Sequence, residues 1–324
     1  MIKPVLAIHG GAGAIARAQI TPETREQYEY ALRHALAGGE RVLAEGGLAL
    51  DAVAEAVRLL EECPLFNAGH GAVFTRDAEH ELDAAIMDGQ SLRCGSVANV
   101  RTVRNPILAA RAVMEHSPHV FFVGHNADAF ARAQGLACVD PTFFSTTARR
   151  EQLEAAQRSG SETIILDHDS AVSNTDGQTA APIDESNKMG TVGAVALDSY
   201  GNLAAATSTG GMTNKWPGRI GDSPIIGAGC YANNKTCAVS TTGKGEAFIR
   251  AVAAYDVSAQ MEYAGRSLEQ ATNQLIHSKL PAMDGAGGLI AIDAQGNIAM
   301  PFNTEGMYRA YVVSGQAPFV AIHR

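Results

Sequence analysis

Apolar residues in the first part of the chain recur with strand and helix periods in turn. A short apolar run, Val5 to Ile8, predicts a buried strand. Thr21 followed by Pro22 predicts the beginning of a helix, because Thr is a favoured N-cap and Pro is tolerated at the first helical position. We expect that helix to end at Gly46 and Gly47.

The rest of the first half continues this alternation. Apolar residues from Leu50 to Leu60 lie at helical spacing before Pro64, which predicts a second helix. Two apolar runs around Arg76 and Asp77 predict a hairpin of the strands Ala72 to Thr75 and Leu82 to Met87. Two further helices and a strand between them are expected at Pro106 to Glu115, Asn126 to Gln134 and Val120 to Val123.

Residues from about Ser159 to Lys188 interrupt the pattern with a long polar stretch. The stretch is rich in Ser, Asp, Asn, Thr, Gly and Gln, and an unstructured loop of this length is unusual inside a compact domain. Two interpretations remain open. The stretch is either a linker or surface loop, or a mobile processing segment that keeps the peptide bond after it accessible.

The second half contains two similar apolar stretches, Gly193 to Ala204 and Gly288 to Ala299. Each predicts a hairpin around an Asp-x-x-Gly-Asn turn, in which glycine supplies the positive φ. Two helices are expected between them, from Glu246 to Tyr263 and from Ser267 to Leu280, the second with Gln270 completing a capping box. Strand-rich runs framed by helices in both halves predict an α/β protein of the α+β type. We expect a four-layer αββα sandwich with two packed, mainly antiparallel sheets.

The composition is that of an ordinary globular protein. Apolar residues make up 46% and charged residues 18% of the 324 residues. The net charge of −9 argues against a nucleic-acid partner, which requires clustered Lys and Arg. The chain lacks the apolar run of a signal peptide and the roughly 20 apolar residues of a membrane helix, so no membrane partner is expected. Five cysteines without a Cys-x-x-Cys pair predict reduced thiols in a cytoplasmic protein.

The junction between Gly190 and Thr191 lies where the polar stretch meets an apolar run. If this bond is cut, Thr191 gains a free α-amine beside its own hydroxyl, so a weak alcohol acquires a general base. Gly190 has no Cβ to obstruct attack on its carbonyl carbon, and it tolerates strained backbone. The junction alone does not decide between this cleavage site and an ordinary turn followed by a strand.

Hydroxyl side chains and glycines cluster in the second half of the chain. The runs Thr207 to Gly211 and Thr241 to Glu246 offer short donors and approachable main-chain N–H groups, which is what an oxyanion site requires. Arg219 and Asp222 together could hold the carboxylate and the ammonium of a free amino-acid head. A surface salt bridge between these two residues is the alternative, and their spacing alone favours it.

Six motifs in register resemble one known family. They are His9 to Gly13, Phe66 to Gly71, Met189 to Val195, Thr207 to Gly211, Gly218 to Pro224 and Thr242 to Glu246. In this order they resemble the plant-type asparaginases, also called isoaspartyl peptidases, which are N-terminal-nucleophile (Ntn) hydrolases. The resemblance covers the whole chain. It implies the Ntn-hydrolase fold in a single domain of residues 1–324, with no cofactor for catalysis.

The resemblance also implies a role for each matching residue of the catalytic centre. Thr191 would be the nucleophile for self-cleavage between Gly190 and Thr191 and for substrate hydrolysis, and Thr209 would hydrogen-bond it. The developing oxyanion would be bound by Asn67, Thr242 and the main chain of Gly243.

Arg219 and Asp222 would hold the α-carboxylate and the α-amine of an aspartyl group. The implied substrates are small molecules: β-aspartyl dipeptides, which release L-aspartate, and L-asparagine, which gives aspartate and ammonia. The alternatives are a glycosylasparaginase-type hydrolase of the same fold and a binding protein that never matures. Lys244 occupies a position that the family pattern leaves open, so it could alter substrate preference. The residues implied for substrate binding are Arg219, Ile220, Gly221, Asp222, Thr242, Gly243, Lys244 and Gly245.

Maturation would divide the chain into an α subunit of residues 1–190, ending in the mobile linker of about residues 159–190, and a β subunit of residues 191–324. The implied assembly is a dimer of αβ heterodimers. A structural sodium ion is also implied, which would fix the loop that presents Asn67. Its ligands would be the main-chain carbonyl groups of Leu60, Glu61, Cys63, Phe66, Ala68 and His70.

Overall fold

The structure is a computed structural model that describes residues 2–13, 20–158 and 190–324. The segment predicted to be a mobile linker lies outside these ranges except for Gly190. The α-helices are α1 (Pro22–Ala44), α2 (Ala49–Glu61), α3 (Pro106–His116), α4 (Gly124–Ala133), α5 (Thr147–Arg158), α6 (Gly245–Ala251), α7 (Ala253–Ala264) and α8 (Leu268–Gln274). The strands are β1 (Val5–Gly13), β2 (Leu82–Asp88), β3 (Cys94–Val100), β4 (Phe121–Val123), β5 (Val192–Leu197), β6 (Leu203–Thr209), β7 (Cys230–Ala232), β8 (Cys237–Gly243), β9 (Gly287–Asp293), β10 (Ile298–Ala299), β11 (Gly306–Val313) and β12 (Phe319–Ala321).

The strands form two sheets. The larger sheet has the order β12-β11-β1-β5-β6-β2-β3-β4, and all neighbours in it are antiparallel except β3 and β4. The smaller sheet has the order β10-β9-β8-β7 and is antiparallel throughout. β5, which begins directly after Thr191, is therefore an interior strand of the larger sheet, with β1 on one side and β6 on the other.

Three apolar clusters separate four layers of secondary structure. In β1, Leu6 and Ile8 belong to the cluster shared with the α1 and α2 helices, whereas Val5 and Ala7 belong to a cluster shared with β9 of the other sheet. This division follows from the pleat, because successive side chains of a strand point to opposite faces. The third cluster, with Phe248 at its centre, packs β8 and β9 against the last three helices. The predicted αββα sandwich is confirmed.

The two sheets lie very close together around Gly193 in β5. A Cβ at this position would overlap Ser240 Oγ of β8 and would lie 3.0 Å from the Ala206 carbonyl oxygen. Glycine is therefore the residue that fits there. The consequence is that β5, which begins directly after Thr191, lies in direct contact with β8, which contains Thr242.

Several local predictions are confirmed. Thr21 caps α1 by accepting a hydrogen bond from the Thr24 N–H at 3.2 Å, and Pro22 is the first helical residue. Ser267 and Gln270 form the predicted capping box at the start of α8. In the described ranges, no helix combines the length and the apolar character needed to cross a membrane.

The predicted hairpin of Ala72 to Thr75 with Leu82 to Met87 is wrong. β2 pairs instead with β3 and β6, so both of its edges are occupied, and β3 was not predicted. The N–H groups of the first run bond locally: Val73 N donates to Asn67 Oδ1 at 3.0 Å and Thr75 N to the Glu79 carbonyl at 2.8 Å. The run belongs to a loop because these bonds replace a strand ladder.

The single helix predicted from Glu246 to Tyr263 is two helices, α6 and α7, which meet at Val252. Val252 has a left-handed conformation with φ of 51°. The first N–H groups of α7 donate to a neighbouring turn, with Ala254 N bonded to the Ala228 carbonyl at 3.1 Å and Tyr255 N to the Gly227 carbonyl at 2.8 Å. These long-range bonds satisfy the helix end and redirect the chain. The helix α5 was also not predicted.

Candidate active site

Thr191 lies at the start of β5, in the interior of the larger sheet. Val192 pairs with Ser208 of β6, and this register brings Thr191 beside Thr209. Thr191 Oγ1 donates to Thr209 Oγ1 at 3.2 Å and lies 3.3 Å from Ser223 Oγ. The side chain of Thr191 is 8% exposed, so its hydroxyl is held among hydroxyl groups with little access to water.

Gly190 is packed against the glycines of β1, where the pairing of β1 with β11 is irregular between His9 and Gly11. A Cβ on Gly190 would lie 2.9 Å from the Gly10 carbonyl oxygen and 3.3 Å from Gly11 Cα. A residue with a side chain would therefore have to move away from β1. This close packing fixes the peptide that precedes Thr191.

A small cavity opens in front of Thr191. It gathers hydroxyl, carboxyl and guanidinium groups from segments that are far apart in the sequence. In the continuous chain, Gly190 itself is part of its wall. The lining residues are Gly190, Thr191, Thr209, Gly211, Met212, Arg219, Gly221, Asp222, Ser223 and Gly243.

Asp222 lines this cavity with 3% of its surface exposed. Thr241 Oγ1 donates a hydrogen bond of 2.6 Å to Asp222 Oδ2. Burial raises the pKa of the Asp222 carboxyl to about 6, against the lowering effect of the Thr241 hydroxyl and of the charge of Arg219. The carboxylate is therefore poised to gain a cationic partner.

Arg219 forms its ion pair with Glu246 and not, as the spacing alone favoured, with Asp222 at the surface. Its Nε donates to Glu246 Oε1 at 3.0 Å and its Nη2 to Glu246 Oε2 at 3.1 Å. This bidentate contact uses one edge of the guanidinium and leaves the edge formed by Nη1 and Nη2 for another carboxylate. Neighbouring Gly221 and Gly245 leave room for it, since a Cβ on either would come within 2.9 Å of a guanidinium nitrogen.

Thr242 and Gly243 lie at the end of β8, across from β1. Ala12 N donates to Thr242 Oγ1 at 3.2 Å, which leaves the Thr242 O–H free to donate elsewhere. Gly243 has φ of 151° and lines the cavity, where its main chain is accessible. A hydroxyl and a main-chain N–H thus lie at one strand end near Thr191, as an oxyanion site requires.

Asn67 is one contact removed from the cavity. Its Nδ2 donates to the Gly211 carbonyl at 2.7 Å, and Gly211 N donates to Thr209 Oγ1 at 3.0 Å. Through Gly211, Asn67 positions the hydroxyl that bonds Thr191. Of the residues predicted for the site, Asn67, Ile220, Thr242, Lys244 and Gly245 are not among those that line the cavity.

Four residues of the site were not assigned a role by the sequence analysis. Ser223 contacts the Thr191 hydroxyl, Glu246 pairs with Arg219, and Gly211 and Met212 line the cavity. Ser223 and Glu246 lie inside two of the six motifs, each directly after a residue that was predicted for the site, Asp222 or Gly245. Their positions in the sequence could therefore have drawn attention to them, but their contacts with Thr191 and Arg219 depend on the fold.

A buried polar network underlies Thr191 between the two sheets. His9 Nε2 lies 2.9 Å from Ser240 Oγ, which lies 2.9 Å from Thr207 Oγ1. Burial lowers the pKa of His9 to about 3, so the imidazole is neutral near pH 7. His9 therefore acts as a hydrogen-bonding group here and carries no charge.

The loop after α2 was predicted to hold a sodium ion through main-chain carbonyl groups. Two carbonyl oxygens of the loop lie close to Gly71: a Cβ there would lie 2.5 Å from that of Pro64, which is not a predicted ligand, and 2.9 Å from that of Phe66, which is. The Glu61 carbonyl accepts the His70 N–H at 2.7 Å, which uses one of its two lone pairs. Main-chain carbonyl oxygens are suitable ligands for a hard cation, so the chemistry of the predicted ligands fits sodium. No cluster of His, Cys, Asp and Glu suited to a metal occurs in the described parts of the chain.

Comparison with known proteins places the chain among relatives along its whole length. A family model described as "Asparaginase" matches residues 2–322. The chain belongs to the asparaginase family. It is 59% identical to "Isoaspartyl peptidase" of Salmonella typhimurium, with 100% of both chains covered. It is also 59% identical to "Isoaspartyl peptidase" of Escherichia coli, over 100% of this chain and 97% of the relative. "Isoaspartyl peptidase/L-asparaginase" of Xenopus laevis is 38% identical, over 97% of this chain and 94% of the relative.

The raised pKa of Asp222 predicts that this residue destabilises the fold at neutral pH. The pKa of Asp222 is 3.8 in the unfolded chain and about 6 in the folded protein, so between these pH values the folded state binds more protons than the unfolded state. The free energy of unfolding therefore falls as the pH rises from about 4 to about 6. Above about pH 6 the ionised Asp222 lowers the free energy of unfolding by up to about 3 kcal/mol. Asp222→Asn should therefore raise the melting temperature at pH 7 by several degrees, and should have little effect near pH 4.

Asp77→Asn is the matched control, because Asp77 is exposed. It should leave the melting temperature unchanged at both pH values. Thermal unfolding followed by circular dichroism measures both variants. An Asp222→Asn protein that is no more stable than the unmodified protein at pH 7 contradicts the assignment.

Proposed function

We propose that the protein is an autoproteolytic threonine hydrolase that cleaves β-aspartyl dipeptides to release L-aspartate, and that also hydrolyses L-asparagine. Membership of the asparaginase family supports this proposal, as do the printed names of the relatives. The observation that carries it is the contact of 3.2 Å between Thr191 Oγ1 and Thr209 Oγ1, in a cavity that also contains Asp222 and Arg219.

Maturation starts in the intact chain. Thr191 Oγ1, oriented by Thr209, attacks the Gly190 carbonyl carbon and gives up its proton. The C–N bond between Gly190 and Thr191 breaks, the nitrogen takes up a proton as an amine, and the Gly190 acyl group is now an ester on Oγ1. Water hydrolyses this ester, which leaves a carboxylate on Gly190 and restores the Thr191 hydroxyl.

Turnover then uses the α-amine that cleavage has released. An α-amine titrates near roughly 7.7, so an appreciable fraction is neutral near pH 7 and accepts the proton of the Thr191 hydroxyl. Oγ1 attacks the side-chain carbonyl carbon of the aspartyl group, and the oxyanion is bound by the Thr242 hydroxyl and the Gly243 N–H. Asn67, which was expected to bind the oxyanion as well, supports the site through its hydrogen bond to Gly211. The leaving amine departs with a proton, and water hydrolyses the acyl-enzyme to release L-aspartate.

The aspartyl head is held by charge. The α-ammonium binds the buried Asp222 carboxylate, and the α-carboxylate binds the guanidinium edge of Arg219 that Glu246 leaves open. Both substrates share this head, so they differ only in the leaving amine. Ile220, Gly221, Gly245 and Lys244 complete the proposed binding region, and Lys244 stands next to the oxyanion residue Gly243.

The mature enzyme is expected to consist of two kinds of subunit. We expect one domain that matures into an α subunit of residues 1–190 and a β subunit of residues 191–324, assembled as a dimer of αβ heterodimers in the cytoplasm. No cofactor takes part in the chemistry. When bound to the carbonyl groups of Leu60, Glu61, Cys63, Phe66, Ala68 and His70, sodium would stiffen the loop that presents Asn67.

Replacing the nucleophile tests the maturation. Thr191→Ala removes the attacking oxygen, so denaturing electrophoresis should show one intact band after long incubation, and hydrolysis of β-Asp-Leu should be lost. Thr191→Ser keeps the hydroxyl and the amine and should retain slow cleavage and some activity. Two bands from Thr191→Ala exclude this nucleophile. A single band from the unmodified protein favours the alternative of a binding protein that does not mature.

Kinetics on three substrates test the specificity. We expect the highest kcat/KM for β-aspartyl dipeptides, a lower value for L-asparagine, and the lowest for a glycosylasparagine. All three substrates present the same head and differ in the leaving amine, and the sugar is the bulkiest group that would have to stand at the mouth of this small cavity. A preference for the glycosylasparagine supports the glycosylasparaginase alternative.

The pKa of Asp222 predicts how substrate affinity depends on pH. As the pH falls through about 6, Asp222 becomes protonated and loses its attraction for the α-ammonium, so KM should rise by about tenfold per pH unit below that point. The Thr191 amine acts on kcat and titrates higher, so the two effects separate. Initial rates on β-Asp-Leu between about pH 5 and pH 8 measure both. A KM that is constant across pH 6 contradicts the role of Asp222.

A further inference from the structure

The turn that precedes Arg219 is exposed, yet Arg219 itself must be held in place to bind a carboxylate. Trp216 is 64% exposed, and Gly218 has a left-handed conformation with φ of 85°. Within the turn, Arg219 N donates to the Trp216 carbonyl at 3.0 Å. An exposed turn with one internal hydrogen bond is expected to be mobile unless contacts with the rest of the protein hold it.

Glu81 lies directly beneath this turn. Its side chain is only 4% exposed. Glu81 Oε2 accepts the Gly218 N–H at 2.8 Å, and Oε1 accepts Arg101 Nη2 at 2.7 Å. The carboxylate therefore joins the residue before Arg219 to a guanidinium on the neighbouring strand connection by two charge-assisted hydrogen bonds.

The main chain of Glu81 holds the other end of the same turn. Its carbonyl accepts Lys215 Nζ at 2.8 Å, and Lys215 is completely buried. Lys215 in turn bonds to the adjoining loop, because Arg76 N donates to its carbonyl at 2.9 Å. One residue thus fixes the turn from Lys215 to Gly218 at both ends.

We propose that Glu81 is a positioning residue that directs the guanidinium of Arg219 toward the α-carboxylate of the substrate, by holding Gly218 and Lys215. This inference rests on the proposed function of the cavity. Glu81 is not among the residues that line the cavity, so it acts through Arg219 and not on the substrate. It precedes the proposed cleavage site and Arg219 follows it, so the contact joins the two future subunits.

This position separates substrate binding from chemistry. The hydrogen bonds of Glu81 go to Gly218, Arg101 and Lys215, and not to Thr191 or Thr209, whose hydroxyl groups carry self-cleavage. Loss of its side chain should therefore weaken binding of the α-carboxylate and leave maturation unchanged. A merely structural residue would instead lower the yield of mature protein and reduce kcat and affinity together.

The test compares Glu81→Ala with Glu79→Ala in the full-length, matured protein. Glu79 is the matched control, because it also pairs with Arg101, but its side chain is 54% exposed and holds no part of the turn. Loss of a hydrogen bond to a charged group predicts a KM for β-Asp-Leu raised by about tenfold or more in Glu81→Ala. We expect kcat within about twofold of the unmodified value, an unchanged rate of self-cleavage, and little change in Glu79→Ala.

A double-mutant cycle supplies the decisive readout. Because Glu81 acts through Arg219, Glu81→Ala should add no further rise in KM to a protein that already carries Arg219→Ala. Additive effects, an unchanged KM, or an equal effect from Glu79→Ala overturn the proposal. If Glu81→Ala does not fold, Glu81→Leu, which removes both acceptor oxygens but fills more of the buried space, is carried through the same cycle.

The experiments distinguish a wrong role for Glu81 from a wrong function for the protein. If the unmodified protein matures but hydrolyses no β-aspartyl peptide, the proposed function fails. Calorimetric titration with L-aspartate, which has the same amino-acid head, then tests Glu81 by the same tenfold criterion. If the unmodified protein hydrolyses β-Asp-Leu and Glu81→Ala leaves KM unchanged, Glu81 alone is excluded.

Discussion

The antiparallel register between β5 and β6 is the constraint on which the candidate site depends. Val192 lies opposite Ser208, and this pairing brings the hydroxyl groups of Thr191 and Thr209 to 3.2 Å. A shift of the register by one residue would turn Thr191 toward the helices, because side chains alternate between the two faces of a sheet. The close contact at Gly193 prevents such a shift, since no other residue fits against Ser240. Packing between the sheets therefore fixes the position of the nucleophile.

The folded protein disfavours the charged form of Asp222, which the proposed site requires. Asp222 is buried, and its raised pKa shows that its surroundings favour the neutral acid. The Thr241 hydroxyl supplies one hydrogen bond, but the cation that would compensate the charge fully is absent, because Arg219 is paired with Glu246. An amino-acid head supplies that cation together with a carboxylate for Arg219. Sites of this kind retain a strained electrostatic arrangement for binding at a cost in stability.

Sequence reasoning succeeded where the determining interactions are local. The N-cap at Thr21 and the capping box of Ser267 with Gln270 each involve residues three apart, so the sequence contains both partners. It failed where a segment that is distant in the sequence determines the local structure. β2 could have paired with the run after Gly71, but β3 and β6 occupy its edges, and α7 begins where it does because of a turn at Gly227. For the site, motifs identified Arg219 and Asp222, but only the fold shows that Glu246 is the partner of Arg219.

The proposed cut between Gly190 and Thr191 would fall inside a structure that holds both sides of it firmly. β5 begins after the cut, and its Gly193 pairs with His9 of β1, whose strand precedes the cut. Ala12 N bonds to Thr242 Oγ1, and Asn67 bonds to Gly211, so further contacts join the two parts around the cavity. Breaking one peptide bond removes none of these. The new α-amine of Thr191 would therefore appear next to its own hydroxyl without rearrangement, and the residues that orient the oxygen for self-cleavage would remain in place to orient it for the substrate.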